Sequence, residues 1–294
     1  KVPAGSYVAG LTPSLFDAGT VYACFDNHKQ GDLKPYVYAS RDFGRSWSDL
    51  TGDLPARGTA FALRQDHVDR DLLFVGTEFG VWFTTSGGGR WLELGGGLPV
   101  IKVPDLEIQR RESDLVLATF GRGFYVLDDY SPLRGLRPAD LDREALLLPT
   151  RPAPRYVLRS ELGWGAKASQ GADFYTADNP PFGAVFTYYL RDGLTSLEAQ
   201  RQKAEKALVD AGEAVPYPTW DALRAEEREE KPAILLTVRD AGGAVVRRLA
   251  GPAGKGLHRV DWDLRLPSVD PVDAVDATEK SPWEAVGAGS LAPA

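Results

Sequence analysis

Three acids, Glu78, Asp105 and Glu107, stand where short apolar runs meet polar turns. Two carboxylates facing each other across a groove are the equipment for general acid–base cleavage of a glycosidic bond, and the pair must lie roughly 5 to 9.5 Å apart. Glu78, in GTEFG between two strand-like runs, has the best position of the three. Each has a structural alternative, because acids at strand ends commonly bond turn amides. Arg122 in FGRGF lies in a Gly-flanked loop from which its guanidinium can face a ligand, but a lone arginine does not make the cluster that grips a sialic acid carboxylate. Trp82 and Tyr125 are candidate sugar platforms, with core packing as the alternative for strand-borne aromatics.

The other reactive side chains point to little chemistry. Cys24 is the single cysteine, so no intrachain disulfide forms; in the apolar run TVYACF it reads as a buried, inert thiol. His28, in the long loop DNHKQGDLKPY, lacks evident partner ligands and reads as a surface residue rather than part of a metal site. No P-loop, HExxH, GxSxG or dinucleotide fingerprint occurs, and neither metal nor cofactor is expected. A net charge of −7 argues against nucleic acid and anionic membrane surfaces. No apolar run reaches the roughly 18 residues of a spanning helix, and KVPAGSYVAG is not a signal peptide.

The elements that must position these residues form a repeat. SRDFGRSW, ending at Trp47, recurs as TTSGGGRW, ending at Trp91, and WSDLTGDLP aligns with WLELGGGLP. Runs rich in Val, Leu, Phe and Tyr, punctuated by Gly, Asp and Pro, predict strands in the second copy near residues 60–64, 72–77, 81–85 and 90–94. A third copy predicts strands near 103–109, 115–119 and 124–128, without the Trp-bearing turn. A period of about 40–50 residues with four strands is that of a propeller blade. The expected fold is thus mainly all-β, with about three blades of a partial β-propeller over 1–136. The chain has no Met and begins at Lys1, so the remaining blades are expected before it, or from another chain.

SRDFGRSW has a mechanical reading. Asp42 can accept hydrogen bonds from the following turn, Gly44 can take a positive φ, and Trp47 can fold its ring against the hairpin. The residues Ser40, Asp42, Gly44, Ser46 and Trp47 resemble the Asp box of bacterial-neuraminidase-type repeats. Gly88 and Trp91 are its remnants in the second copy, where Ser86 and Arg90 depart from the pattern. The resemblance implies a peripheral turn between a blade's third and fourth strands. Asp42 is therefore structural, and a calcium loop is not supported by one carboxylate.

A Pro-rich linker is expected over 137–156, followed by a second domain over 157–294. Strand-like runs at 184–190, 233–240, 244–249 and 258–265 suggest an immunoglobulin-like sandwich. A helical hairpin at about 195–230 interrupts them, opening on Thr195-x-x-Glu198 as a capping box. The stretches ATFGRGFYVLDD, NPPFGAVFTYYL, PYPTWDALRAEEREEKP and HRVDWDLRLP resemble the carboxy-terminal part of large bacterial sortilin-like propeller proteins, a group often labelled glycosyl hydrolases or repeat-containing proteins. That resemblance covers about Tyr7 to Pro267 and implies export to the periplasm or outside. Because the last 27 residues are Pro- and Ala-rich, the sandwich is expected to be incomplete. The expected function is a protein- or polysaccharide-binding or scaffold module. The alternative is a secreted glycoside hydrolase of xyloglucanase or sialidase type, with its site at the channel mouth.

Overall fold

The computed structural model describes residues 2–156, 177 and 179–267; the carboxy-terminal stretch 268–294 lies outside the described residues. The chain separates into two compact units, Lys1–Arg143 and Glu144–Ala294.

Apolar runs cut by Gly and Asp turns give the first unit three antiparallel meanders. The first sheet takes β1 (Tyr7–Pro13), β2 (Val21–Asn27), β3 (Asp32–Ser40) and β4 (Ser48–Asp49) in that order. The second repeats the order with β5 (Ala60–Gln65), β6 (Leu73–Thr77), β7 (Gly80–Thr84) and β8 (Leu92–Glu93). The third has β9 (Asp105–Gln109), β10 (Asp114–Ala118) and β11 (Phe124–Leu127), with no fourth strand among the described residues. The short β4 and β8 pair with only two residues each, Tyr38 and Ala39, and Trp82 and Phe83.

The three sheets stack face to face. Tyr22, Cys24, Val37, Leu50, Leu63 and Val75 belong to one cluster between the first two sheets. Cys24 is only 1% exposed, and burial pushes its thiol up to about 12, so it is inert at neutral pH. Phe74 and Phe83 pack on the other face of the second sheet, where Tyr130 meets the Phe74 ring edge-on at 4.9 Å. Gly76 is required on this face: a Cβ there would come within 2.5 Å of the Val103 carbonyl.

The inner strands fix how the sheets are oriented. Thr12 Oγ1 donates to the Leu63 carbonyl at 2.7 Å and Ser14 Oγ to Gln65 Oε1 at 2.9 Å, so β1 and β5 advance together. Lys102 Nζ sits 4.0 Å from the Phe61 ring centre, and Arg64 reaches Asp105 and Glu107, so β5 and β9 advance together as well. Three first strands running parallel, side by side, one from each meander, is the arrangement of blades around a channel. It sends the β2–β3, β6–β7 and β10–β11 turns to one end and the β3–β4 and β7–β8 turns to the other.

SRDFGRSW forms the β3–β4 turn. Gly44 has φ +84° and its N–H donates to Ser40 Oγ at 2.8 Å; Asp42 accepts from the Ser46 amide at 2.8 Å and the Ser46 hydroxyl at 2.6 Å. In the second copy Thr84 and Ser86 take the same roles with longer bonds, 3.3 Å from the Gly88 amide and 3.1 Å from the Arg90 amide. A hydroxyl thus replaces the carboxylate without changing the turn. Trp47 departs from expectation: it is 42% exposed rather than folded onto its hairpin. The Ser46 hydroxyl, the Ser46 amide and Ser40 hold the Asp42 carboxyl down at about 2. The Ser46 amide resonance is therefore expected to titrate with a midpoint near that value, well below the usual carboxylate range; a midpoint near 4 in an NMR titration would contradict this assignment.

In the second unit the three-stranded sheet β12 (Ala145–Leu147), β13 (Ala184–Leu190) and β16 (Gly256–Trp262) is ordered β12-β13-β16. β14 (Ile234–Arg239) and β15 (Val245–Gly251) form a separate hairpin closed by Gly243 at φ +85°. The stretch expected as a linker over 137–156 carries a 3-10 turn, Pro138–Asp142, and β12 itself, because Ala145-Leu146-Leu147 finds β13 as a partner. Between β13 and β14 lie α1 (Leu197–Asp210) and α2 (Trp220–Arg228), with no buried side chain on either. Ser196, not Thr195, caps α1 by accepting the Ala199 amide, since the helix starts one residue later than the motif implied. Charge holds the helices together: Arg201 forks onto Glu226 at 2.7 and 2.9 Å and also reaches Glu205 at 2.8 Å.

Candidate functional site

Parallel inner strands carry the Glu78 and Arg122 turns to the same end of the first unit, opposite the Asp42 turn. Arg122 is exposed in a turn closed by the Thr119 amide and hydroxyl, which donate to the Gly123 carbonyl at 2.9 and 2.7 Å. Glu78 donates its amide to the Thr59 carbonyl at 3.0 Å, while its Oε2 is buried and without a hydrogen-bond partner. Gly76 faces Val103 and Leu106, and strand alternation puts Thr77 and Trp82 on the opposite face; Glu78 lies in the turn that follows β6.

Asp105 and Glu107 are brought together, two residues apart on one face of β9. Arg64 joins them, its Nη2 to Asp105 Oδ1 at 3.0 Å and its Nε to Glu107 Oε2 at 3.0 Å. Acid and base roles require two carboxyls in different environments. These share one guanidinium and are both largely exposed, so their environments are alike rather than divided as an acid–base pair requires. Among the described residues no hydrogen bond or ion pair joins Glu78 or Arg122 to them. Tyr125, on β11, pairs with Leu117 of β10 and is half-buried, in a strand rather than on an open platform.

Two features were not legible in the sequence. Nothing in the local run ALRQD marks Arg64 as the partner of acids some forty residues away. The His28 ring is oriented by Asp26: Nδ1 lies 2.6 Å from Asp26 Oδ2, while Asp26 Oδ1 accepts the His28 amide at 2.9 Å. The Asp-x-His spacing was the available signal. Among the described residues no group of three or more His, Cys, Asp or Glu side chains is arranged to hold a metal.

Trp82, half-buried against the core cluster, lines a cavity of about 190 Å³ between the first two sheets. Phe79, Leu54, Pro35 and Pro55 supply further apolar wall, with Arg57 and Glu93 also on the lining. A second cleft of about 260 Å³ lies along the inner strands at the other end, lined by Leu11, Arg64, Gln65, Glu107 and Arg110.

No protein-family model and no curated protein matches the chain. Among solved structures it is similar to YCF48 bound to D1 peptide, at 13% identity over 42% of this chain and 37% of that one, with a TM-score of 0.32. It is also similar to the GH74 xyloglucanase from Xanthomonas campestris, at 16% identity over 48% and 26% of the two chains, with a TM-score of 0.33. The Niastella koreensis GH74 enzyme aligns at 15% identity over 62% and 28%, with a TM-score of 0.36. The chain spans between 26% and 37% of the length of these structures. Among the described residues no helix is long and apolar enough to cross a membrane.

Proposed function

We propose that the first unit contributes three consecutive blades to a β-propeller that acts as a recognition or scaffold module, taking a peptide or polysaccharide at the end that carries the Glu78 and Arg122 turns. The parallel run of β1, β5 and β9 is the observation that supports the propeller. Further blades, from the same longer chain or from another, are the partners this reading implies. Val8 and Leu11 on the outer side of β1, and Phe124 and Val126 on β11, are apolar and exposed, as faces awaiting a neighbouring blade would be. In this reading the sheets of the second unit belong to an immunoglobulin-like sandwich, and the protein works outside the cytoplasm, as the family resemblance implies.

Recognition is favoured over hydrolysis because Asp105 and Glu107 are both committed to Arg64. One observation favours a second reading, a glycoside hydrolase: Oε2 of Glu78 is buried and has no hydrogen-bond partner, so this carboxyl oxygen is not committed to another group of the fold. A single experiment separates them. Xyloglucan, a sialylated glycan and a peptide array are each tested for binding, and the glycans for release of reducing ends, with wild type and Glu78→Gln. Binding without release is the expected result. Release that disappears in Glu78→Gln would overturn the recognition reading, and absence of all binding and release would overturn both.

A further inference from the structure

The cavity beside Trp82 lies near the β6–β7 turn, on the face of β6 and β7 opposite Gly76, and its construction indicates what it holds. The inner part of its wall comes from side chains that cannot easily move. Pro35 and Leu54 are buried, Trp82 is packed against the core, and Pro55 has a ring-locked backbone. Gly58 lies beneath Phe79 at φ +133°, and a Cβ there would stand 3.2 Å from the Phe79 ring. Glycine thus keeps the space under that ring open. Rigid walls cost a ligand little ordering, which is the condition for a preformed site.

Size and polarity select the occupant. An apolar cavity of about 150 Å³ takes a guest the size of benzene, so about 190 Å³ accommodates one six-membered ring. A sugar ring carries a hydroxyl on most of its carbons, and each would need a partner inside. Besides Arg57, Glu93 and the Trp82 indole N–H, the lining has one polar side chain, Thr77, whose hydroxyl already donates to the Gly80 carbonyl at 2.9 Å and accepts from the Phe79 amide at 3.3 Å, too few groups for the hydroxyls of a sugar ring. An aromatic side chain leaves no such group unpaired. Arg57 and Glu93 are exposed charges of opposite sign that form no ion pair among the described residues. They complement a segment that brings an acid and a base on either side of its ring.

We infer that this cavity, formed by Trp82, Phe79, Pro35, Pro55 and Gly58 with Arg57 and Glu93 on its lining, is a binding site for an aromatic side chain of a peptide flanked by one acidic and one basic residue. The inference rests on the recognition reading and supplies its ligand class.

The test follows the Trp82 indole N–H by NMR, assigned with Trp82→Phe, while a capped Glu-Phe-Lys peptide is added. Glu-Ala-Lys, Gln-Phe-Gln and a xyloglucan oligosaccharide are titrated in parallel. The expected result is a saturable Trp82 shift with Glu-Phe-Lys, weakened about tenfold in Glu-Ala-Lys by loss of the ring and less in Gln-Phe-Gln. Val100→Asp puts a carboxylate on an exposed part of the lining, 80% exposed and so outside the core, and is expected to weaken the shift without altering the rest of the spectrum. No saturable shift, an equal shift with Glu-Ala-Lys, or a shift with the oligosaccharide alone would overturn the inference. Peptide or glycan binding that moves other resonances but not Trp82 would overturn this site while leaving the recognition reading standing.

Discussion

Replacing Arg134 with alanine is expected to lower folding stability by about 3–5 kcal/mol, because it leaves a buried carboxylate without its counter-ion. Asp66 is 0% exposed in the β5–β6 turn. Arg134, in the 3-10 turn Ser131–Gly135, donates Nε to Asp66 Oδ2 and Nη2 to Asp66 Oδ1, both at 2.9 Å. The Tyr130 hydroxyl adds a bond to Oδ1 at 2.5 Å, and the Val68 and Asp69 amides bond Oδ2. The cluster therefore pins the segment after the third sheet to the second. Burial is the largest influence on the Asp66 carboxyl and pushes it up, but the Arg134, Tyr130 and Asp69 bonds outweigh it and hold it below its ordinary value. A depressed folded-state value gives stability that is present above the unfolded-state value of about 3.9 and is lost as pH falls through the folded-state value. The gap between wild type and Arg134→Ala, measured by urea unfolding, should thus be full at pH 7 and narrow below about pH 4. A gap that widens in acid would contradict the assignment, and Tyr130→Phe should cost less, about 1–3 kcal/mol.

Local signals gave the strands. Residues 184–190 were marked by their own apolar content and form β13 over the same span. The turn at SRDFGRSW was readable because Gly44 needs a positive φ and Asp42 has amides within reach along the chain. What remained hidden depends on contacts between repeats. Asp66 lies in one run and Tyr130 and Arg134 together in another, and no spacing rule links an acid in one turn to an arginine 68 residues on. The cavity at Trp82 was equally hidden. Alternation gives two faces to β7 but does not tell which one meets Pro35 and Leu54. PTRPAPRY carried enough proline to suggest a linker, yet the Ala145-Leu146-Leu147 run just before it was already a strand.

The two tryptophans of the repeat carry the same motif position and are expected to differ sharply in worth. Trp91 is 3% exposed; its indole N–H donates to the Leu50 carbonyl at 2.9 Å and its amide to Asp53 Oδ1 at 2.7 Å. It rests on the loop that ends the preceding copy, where Gly52 at φ +53° lies so close to the Trp91 turn that a Cβ would come within 2.9 Å of the Gly88 carbonyl. Trp91→Ala should therefore cost about 3–5 kcal/mol, the toll of emptying a core position. Trp47 is 42% exposed, with no preceding copy of that loop among the described residues, so Trp47→Ala should change stability by no more than about 1 kcal/mol. Urea unfolding followed by circular dichroism, which does not depend on either indole, checks both. Equal costs would mean that each ring is held by its own hairpin, as the motif alone implied. Unequal costs would mean that the Trp is held by the junction between repeats and not by its own hairpin.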